Sequence, residues 1–173
     1  ERSLHMHDHV DHVADLNRPM PFLQNDAFDT VLCTDVLEHL HSPDTLFQEM
    51  ARILRPGGCL IVGVPFLYWV HEPPHDHHRY TQYKLRHWCA RHHLEEVVLE
   101  AYGGWPEVVF DLVYKGIDYL APPLKRPLLV AWESLGRAMA KVPAVRRMSQ
   151  RSRPTFPLGH VLVARKPVSG TAG

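Results

Sequence analysis

One cassette constrains this chain more than any other stretch of it. Phe28-Asp-Thr-Val-Leu-Cys33 is a short apolar run, β-branched at its centre and entered from the turn-forming Asn25-Asp26-Ala27. It reads as a buried strand. Ser42-Pro43-Asp44 follows. A capping residue, a proline at the first helical position and an acid in the first turn start a helix. Leu46, Phe47, Met50, Ile53 and Leu54 recur at helical spacing and give that helix one apolar face. Arg55-Pro56-Gly57-Gly58 ends it as a turn, and Cys59-Leu-Ile-Val-Gly-Val64, closed by Pro65, is a second buried strand. Two strands joined through a helix by short connections form a βαβ unit. Such a unit requires a parallel pair and a right-handed crossover.

The flanking segments extend this unit into one α/β domain. Val10-Asp-His-Val-Ala14 is expected to be a short strand ending at Asp15, and Asn17-Arg-Pro-Met-Pro-Phe22, with two prolines, a loop. Residues 66–80 form a loop rich in proline, histidine and aromatics. Thr81 caps a second helix that turns Leu85, Trp88 and Cys89 inward. Glu96-Val-Val-Leu-Glu100 is expected to be a third core strand, broken by Gly103-Gly104. Residues 106–148 hold two or three helical segments, interrupted at Pro122-Pro123, Pro127 and Pro143. Gly159-His-Val-Leu-Val-Ala-Arg165 is a terminal strand, and residues 167–173 a frayed tail. The 173 residues are too few for two ordinary domains. The expected organisation is one domain over 1–166, with a helical insertion at about 106–150.

Charge and cysteine usage exclude several classes. The formal net charge is zero, which argues against a general nucleic-acid binder. The balance is uneven, since residues 125–153 carry eight basic side chains against the single acid Glu133. Leu128, Leu129, Val130, Trp132, Leu135 and Met139 give the same stretch an apolar face. It is either a solvated helix surface or a surface that touches anionic lipid or covers a lipid-like substrate. Cys33, Cys59 and Cys89 have no CxxC spacing and sit in apolar runs, as buried reduced thiols of a cytoplasmic protein do. No apolar run reaches the ~18 residues a membrane span needs, and no signal peptide is expected.

Asp29-Thr-Val-Leu-Cys-Thr-Asp-Val-Leu-Glu-His39 and Glu49-Met-Ala-Arg-Ile-Leu-Arg-Pro-Gly-Gly58 together resemble the class I methyltransferases. The likeness is greatest to the group related to the ubiquinone and menaquinone methyltransferases (methyltransferase type 11). His71-x-x-Pro74-x-Asp76-x-x-Arg79-Tyr80-Thr81 resembles a loop of one subgroup. The resemblance implies a Rossmann-like α/β sheet in the order 3-2-1-4-5-7-6, S-adenosylmethionine as cofactor, and a small-molecule or lipid-linked methyl acceptor. By resemblance Asp15 meets the adenine with the Leu16 backbone beside it. Thr34, Asp35 and Val36 line the methionine end. His39 lies near the transferred methyl, where it orients the acceptor or takes its proton, a task suited to a side chain with an unperturbed pKa of about 6.5. His71, Asp76, Arg79 and Tyr80 face the substrate. Physical chemistry supports this placement, because ligands of open parallel sheets bind outside the carboxyl ends of the strands. A sulfonium is already activated, so the protein mainly aligns the attacking atom and excludes water.

The chain also departs from the family pattern. The glycine-rich loop after the first strand, and the acid ending the second, have no counterpart, and residues 1–9 contain no glycine. The expectation is therefore a sheet lacking its first strands, with an orphaned third strand, an uncovered apolar edge open to pairing with another copy, and weak cofactor binding. A non-catalytic methyltransferase-like module is the alternative from a different class.

Each motif also has a plainer reading. Asp15 fits an ordinary turn, Glu38 and His39 fit solvated loop residues, and Arg79 fits a partner for Asp76 in a loop that merely covers the strand ends. His5-Met-His7-Asp8-His9 resembles the zinc motif of metallo-β-lactamase-like hydrolases, one residue short. A hydrolase would need further ligands, for which His75-Asp76-His77-His78 is the candidate. No metal site is assigned.

Overall fold

The cassette folds in the order its pattern demands, but its first strand, residues 28–34, is mostly exposed rather than buried, because it lies at the edge of the sheet. In the computed structural model, which describes residues 10–168, β1 (Phe28–Thr34) leads through a short 3₁₀ turn, Leu37–His39, into α1 (Pro43–Ile53) and then β2 (Leu54–Pro65). β1 and β2 pair in parallel, with Val31 opposite Leu60 and Thr34 opposite Gly63. α2 (Gln82–Arg91), β3 (Glu95–Tyr102), α3 (Trp105–Ile117), α4 (Pro122–Met139), α5 (Pro143–Ser152) and β4 (Gly159–Arg165) complete the chain. The sheet order is β1-β2-β4-β3, and β4 runs antiparallel to both neighbours. β1, β2 and β3 therefore point the same way, and their carboxyl ends share one edge. This order reproduces the 4-5-7-6 half of the arrangement the resemblance implies.

α1 and α2 cover one face of the sheet. Leu60, Val62 and Val64 of β2 and Leu162 and Ala164 of β4 lie buried there with Phe47, Met50, Leu85, Trp88 and Cys89. Each large apolar side chain so buried contributes about 1.5–3 kcal/mol. Trp88 stacks on Phe47 at 4.9 Å and donates its indole N–H to Asp44 Oδ1 at 2.7 Å. The acid expected in the first turn of α1 thus also locks α2 in place. At the other end of α1, Lys166 Nζ donates to the carbonyls of Ala51 and Leu54 at 2.8 and 2.7 Å, a cation where the helix dipole favours one.

Several expectations need correction. Residues 10–14 are not a strand; they are exposed and irregular, because no strand among the described residues offers them a ladder. Arg55-Pro56-Gly57-Gly58 is not a separate turn but a bulge inside β2, where the register jumps from Phe28 opposite Leu54 to Thr30 opposite Cys59. Its glycines are required. Gly57 has φ +80°, and a Cβ on Gly58 would lie 2.8 Å from the Arg55 carbonyl oxygen. β3 is an edge strand, mostly exposed, rather than a core strand; its Glu95, Glu96 and Glu100 could not be buried cheaply. Pro127 lies inside α4 and does not interrupt it. Near a helix start it forfeits a single backbone bond, to Pro123.

The helical insertion runs from Trp105 to Ser152. Trp132 stacks on Phe110 at 5.3 Å and ties α4 to α3. α4 contains no buried residue. The apolar edge expected on β1 is present, with Leu32 66% exposed. Of the expected tail, residues 169–173 lie outside the described residues.

Candidate functional site

The shared edge gathers three segments. After β1, Asp35 takes a left-handed conformation (φ +52°) and its N–H donates to the Gly63 carbonyl of β2 at 3.1 Å. This turns the chain up into Leu37–His39. After β2, residues 66–80 fold back over that 3₁₀ turn. The N–H groups of His77 and His78 donate to the Glu38 carbonyl at 2.8 and 3.2 Å, and the Tyr80 hydroxyl donates to the Leu37 carbonyl at 2.9 Å. At the end of β3, Tyr102 brings its hydroxyl against Gly159. Burial, then the nearby Asp35 and Glu38, push the Tyr102 phenol up.

Glu38 stands at the centre. Its side chain is fully buried, and neither carboxylate oxygen has a hydrogen-bond partner on another residue; the Glu38 backbone N–H offsets part of the effect of burial. Burial pushes its carboxyl above the usual range. The Nε2 atoms of His39 and His71 both lie 3.8 Å from Glu38 Oε1, too far for a hydrogen bond. The other ring nitrogens are engaged. His39 Nδ1 lies 2.9 Å from the His75 carbonyl, and His71 Nδ1 lies 3.3 Å from Asp76 Oδ2 and from the Trp69 carbonyl. All three partners accept, so both Nδ1 atoms donate, and both Nε2 atoms are turned toward Glu38.

Beside this trio Asp76 is satisfied. Arg79 meets both of its oxygens, at 2.5 and 2.7 Å, and the His71 N–H donates to it at 3.0 Å. The Arg79 guanidinium holds the Asp76 carboxyl well below the usual range. Arg79 also donates to the Trp69 carbonyl at 3.0 Å, fastening both ends of the loop.

The residues singled out from sequence thus separate into groups. Thr34 and Asp35 are exposed and Val36 is half-buried along the path from β1 to the trio. His39 and His71 meet at the trio, and Asp76 with Arg79 supports it. Tyr80 is buried, and its hydroxyl donates to the Leu37 carbonyl. Asp15 is exposed, Leu16 packs partly against the core, and the Asp15 carboxylate accepts from the Asn17 backbone and pairs with Arg18. Hydrogen bonds from Asn17 lower its pKa. Asn17 Oδ1 in turn accepts from the Ser42 N–H at 3.0 Å, which puts the Asp15 loop beside the entry to α1, just beyond His39.

Sequence reasoning passed over Glu38 as a functional group and did not single out Tyr102. Glu38 is not the solvated loop residue the plainer reading allowed. Its one signal was position, directly after an apolar Val-Leu and directly before His39. The cluster at His5–His9 lies outside the described residues. His75 and His77 are exposed on the outer side of the loop. Cys33 and Cys89 are buried and Cys59 partly so. Burial pushes the Cys33 thiol up to about 12 and that of Cys89 to about 11, which leaves both unreactive. Among the described residues no helix is long and apolar enough to cross a membrane.

The fold is shared by solved methyltransferases. A methyltransferase from Archaeoglobus fulgidus described as dependent on S-adenosylmethionine superposes with a TM-score of 0.53 at 14% identity, over 88% of this chain and 66% of that one. One from Methanosarcina mazei gives 0.51 at 12%, over 91% and 67%. The [4+2]-cyclase SpnF gives 0.50 at 19%, over 91% and 57%. A family model described as a methyltransferase domain matches residues 3–62. A ubiquinone biosynthesis O-methyltransferase of Xanthomonas oryzae pv. oryzae is 40% identical over 40 residues, 23% of this chain and 17% of the relative. The fold is thus one that solved methyltransferases share, and residues 3–62 match a methyltransferase domain. The chain spans less than a fifth of the curated relative's length in that match.

Proposed function

We propose that the protein this chain represents transfers a methyl group from S-adenosylmethionine to a small-molecule or lipid-linked acceptor. The observation that carries this reading is the convergence of Thr34–His39 with the 66–80 loop at one sheet edge, within a fold whose solved relatives include S-adenosylmethionine-dependent enzymes. Fold alone would not suffice, since it also serves a cyclase. The match to residues 3–62 adds support over Asp15, Leu16 and Thr34–His39.

In this reading Thr34, Asp35 and Val36 bind the methionine end, and Asp15 and Leu16 the adenine. His39 and His71 face the acceptor, where a group that takes up or stabilises the charge of its attacking atom is needed. Asp76 and Arg79 hold the loop that presents His71. An apolar cavity of about 530 Å³ between α3, α4 and α5, lined by Phe110, Gly136, Met139, Val145 and Leu158, suits an apolar acceptor or its tail. Leu124, Leu128, Leu135 and Met139 form an exposed stripe along α4, flanked by the basic residues of 125–153. Basic side chains at an anionic surface contribute about 1 kcal/mol each, so α4 and α5 are proposed to rest on anionic lipid at the cytoplasmic face. Flotation with phosphatidylglycerol vesicles but not phosphatidylcholine vesicles is expected; no flotation with either removes this part.

The cofactor assignment is tested by amide NMR of the chain with S-adenosylhomocysteine at millimolar concentration, chosen because binding is expected to be weak. Shifts confined to residues 15–16 and 34–39 are expected. Shifts elsewhere only, or none, would sink the reading.

A further inference from the structure

Three groups able to ligate a metal face one another inside the loop: the Glu38 carboxylate and the Nε2 atoms of His39 and His71. No other described residue donates to either Glu38 oxygen. A buried carboxylate so placed favours a cation between the three. A proton is the wrong size. It would draw a nitrogen and an oxygen to about 2.7–2.9 Å, and both separations are 3.8 Å. A metal ion fits better. Ligand atoms at about 2.1 Å in a tetrahedral shell lie about 3.4 Å apart, and the three candidate ligand atoms lie within 4.8 Å of one another. Small side-chain rotations close that gap.

We propose that Glu38, His39 and His71 form a binding site for one divalent transition-metal ion. Two neutral imidazoles and one carboxylate suit zinc, iron(II) or cobalt(II) rather than magnesium or calcium, which prefer all-oxygen shells. The surroundings are those of a built site. His39 is oriented by the His75 carbonyl and His71 by Asp76, which Arg79 fixes in turn. Ligand histidines are characteristically held this way, with Nδ1–H on a carbonyl or carboxylate. Glu38 supplies the negative charge, fully buried, and the two histidines keep 17–18% of their side-chain surface open. Three protein ligands leave positions for water or for an oxygen of the acceptor. That last role rests on the methyl-transfer reading; in it His39 would act as a ligand, and a bound ion would supply positive charge beside the acceptor oxygen. The site itself does not depend on it.

The test uses the whole chain, tag-free and stripped with chelator, titrated with Co²⁺ and followed by visible absorption and calorimetry. With 14 histidines in the chain, adventitious binding must be separated. One equivalent is expected to give the intense visible bands of a low-symmetry site. Glu38→Gln and His71→Ala are each expected to weaken that equivalent at least tenfold, while His77→Ala leaves it unchanged. Circular dichroism confirms that the variants fold. Absence of a stoichiometric site, or a site that survives both Glu38→Gln and His71→Ala, overturns the proposal. No cofactor is present in this titration. Metal binding without S-adenosylhomocysteine binding would therefore fail the methyl-transfer reading alone, and the reverse would fail the metal site alone.

Discussion

Two polar clusters sit side by side under the same loop and are built on opposite principles. Around Asp76 every oxygen is engaged, by Arg79 and by the His71 N–H. Around Glu38, equally enclosed, no other residue engages either oxygen. A buried charge without partners costs several kcal/mol and is not retained for stability. The first cluster therefore holds the loop, and the second is what the loop is held for. Motif residues adjacent in sequence can thus belong to different layers of the design: Asp76 and Arg79 support the site, and His71 faces into it.

The largest effect that would sharpen this contrast comes from Arg79→Ala. It strands the Asp76 carboxylate, whose side chain is 2% exposed. Breaking a buried pair costs about 3–5 kcal/mol, and the partial exposure of Arg79 sets the expectation near the lower end, about 3 kcal/mol. Urea unfolding measures it. A loss below about 1 kcal/mol would mean that water reaches Asp76 and that the cluster is no anchor.

Next in size is a pair of isosteric changes. Asp76→Asn removes charge-assisted bonds and should cost about 2 kcal/mol. Glu38→Gln, in metal-free protein, should change stability by less than about 0.5 kcal/mol or raise it, because it removes a buried carboxylate to which no other residue donates a hydrogen bond. If Glu38→Gln is the more damaging, an unrecognised partner satisfies Glu38 and the contrast collapses.

The two carboxylates should also respond to pH with opposite sign. The Asp76 pKa is depressed below 3.8 in the fold. Its stabilisation is present above that value and is lost as pH falls from there through the folded pKa. The Glu38 pKa is raised above 4.5. Between 4.5 and the raised value the native state holds the extra proton, so stability falls as pH rises through that window. Stability measured from pH 3 to pH 7 should therefore show wild type losing ground to Glu38→Gln as pH rises, and losing its advantage over Asp76→Asn as pH falls. Parallel curves for wild type and Glu38→Gln would show that Glu38 is not desolvated.

Local chemistry made the frame of this molecule legible. The β-branched apolar run Phe28–Cys33, Pro43 at the start of α1, and the apolar faces of α1 and α2 depend on neighbours a few residues away, and each element appears where the pattern put it. Features set by distant partners were not legible. Residues 10–14 have strand-like composition but no ladder. Val97 and Val98 read as core, yet β3 lies at the sheet edge. At the site, His39 and His71 were visible as types, but their meeting on Glu38 depends on a loop folding back from β2, across some thirty residues. Density of histidine drew attention to 75–78, whereas the trio that converges is sparse in sequence.

The smallest expected effect concerns how that fold-back is secured. Tyr80→Phe removes the hydroxyl that donates to the Leu37 carbonyl at 2.9 Å and keeps the ring packed against Trp88 at 5.1 Å. Losing one neutral hydrogen bond costs about 1 kcal/mol. The carbonyl keeps only a longer bond from the Leu40 N–H, at 3.4 Å. The change should appear as faster hydrogen exchange at the His77 and His78 amides, which bond the neighbouring Glu38 carbonyl. Arg79→Ala should expose the same amides far more. If Tyr80→Phe matched it, the tyrosine hydroxyl rather than the Asp76–Arg79 pair would be the anchor of the loop, and the division between a holding cluster and a working one would have to be redrawn.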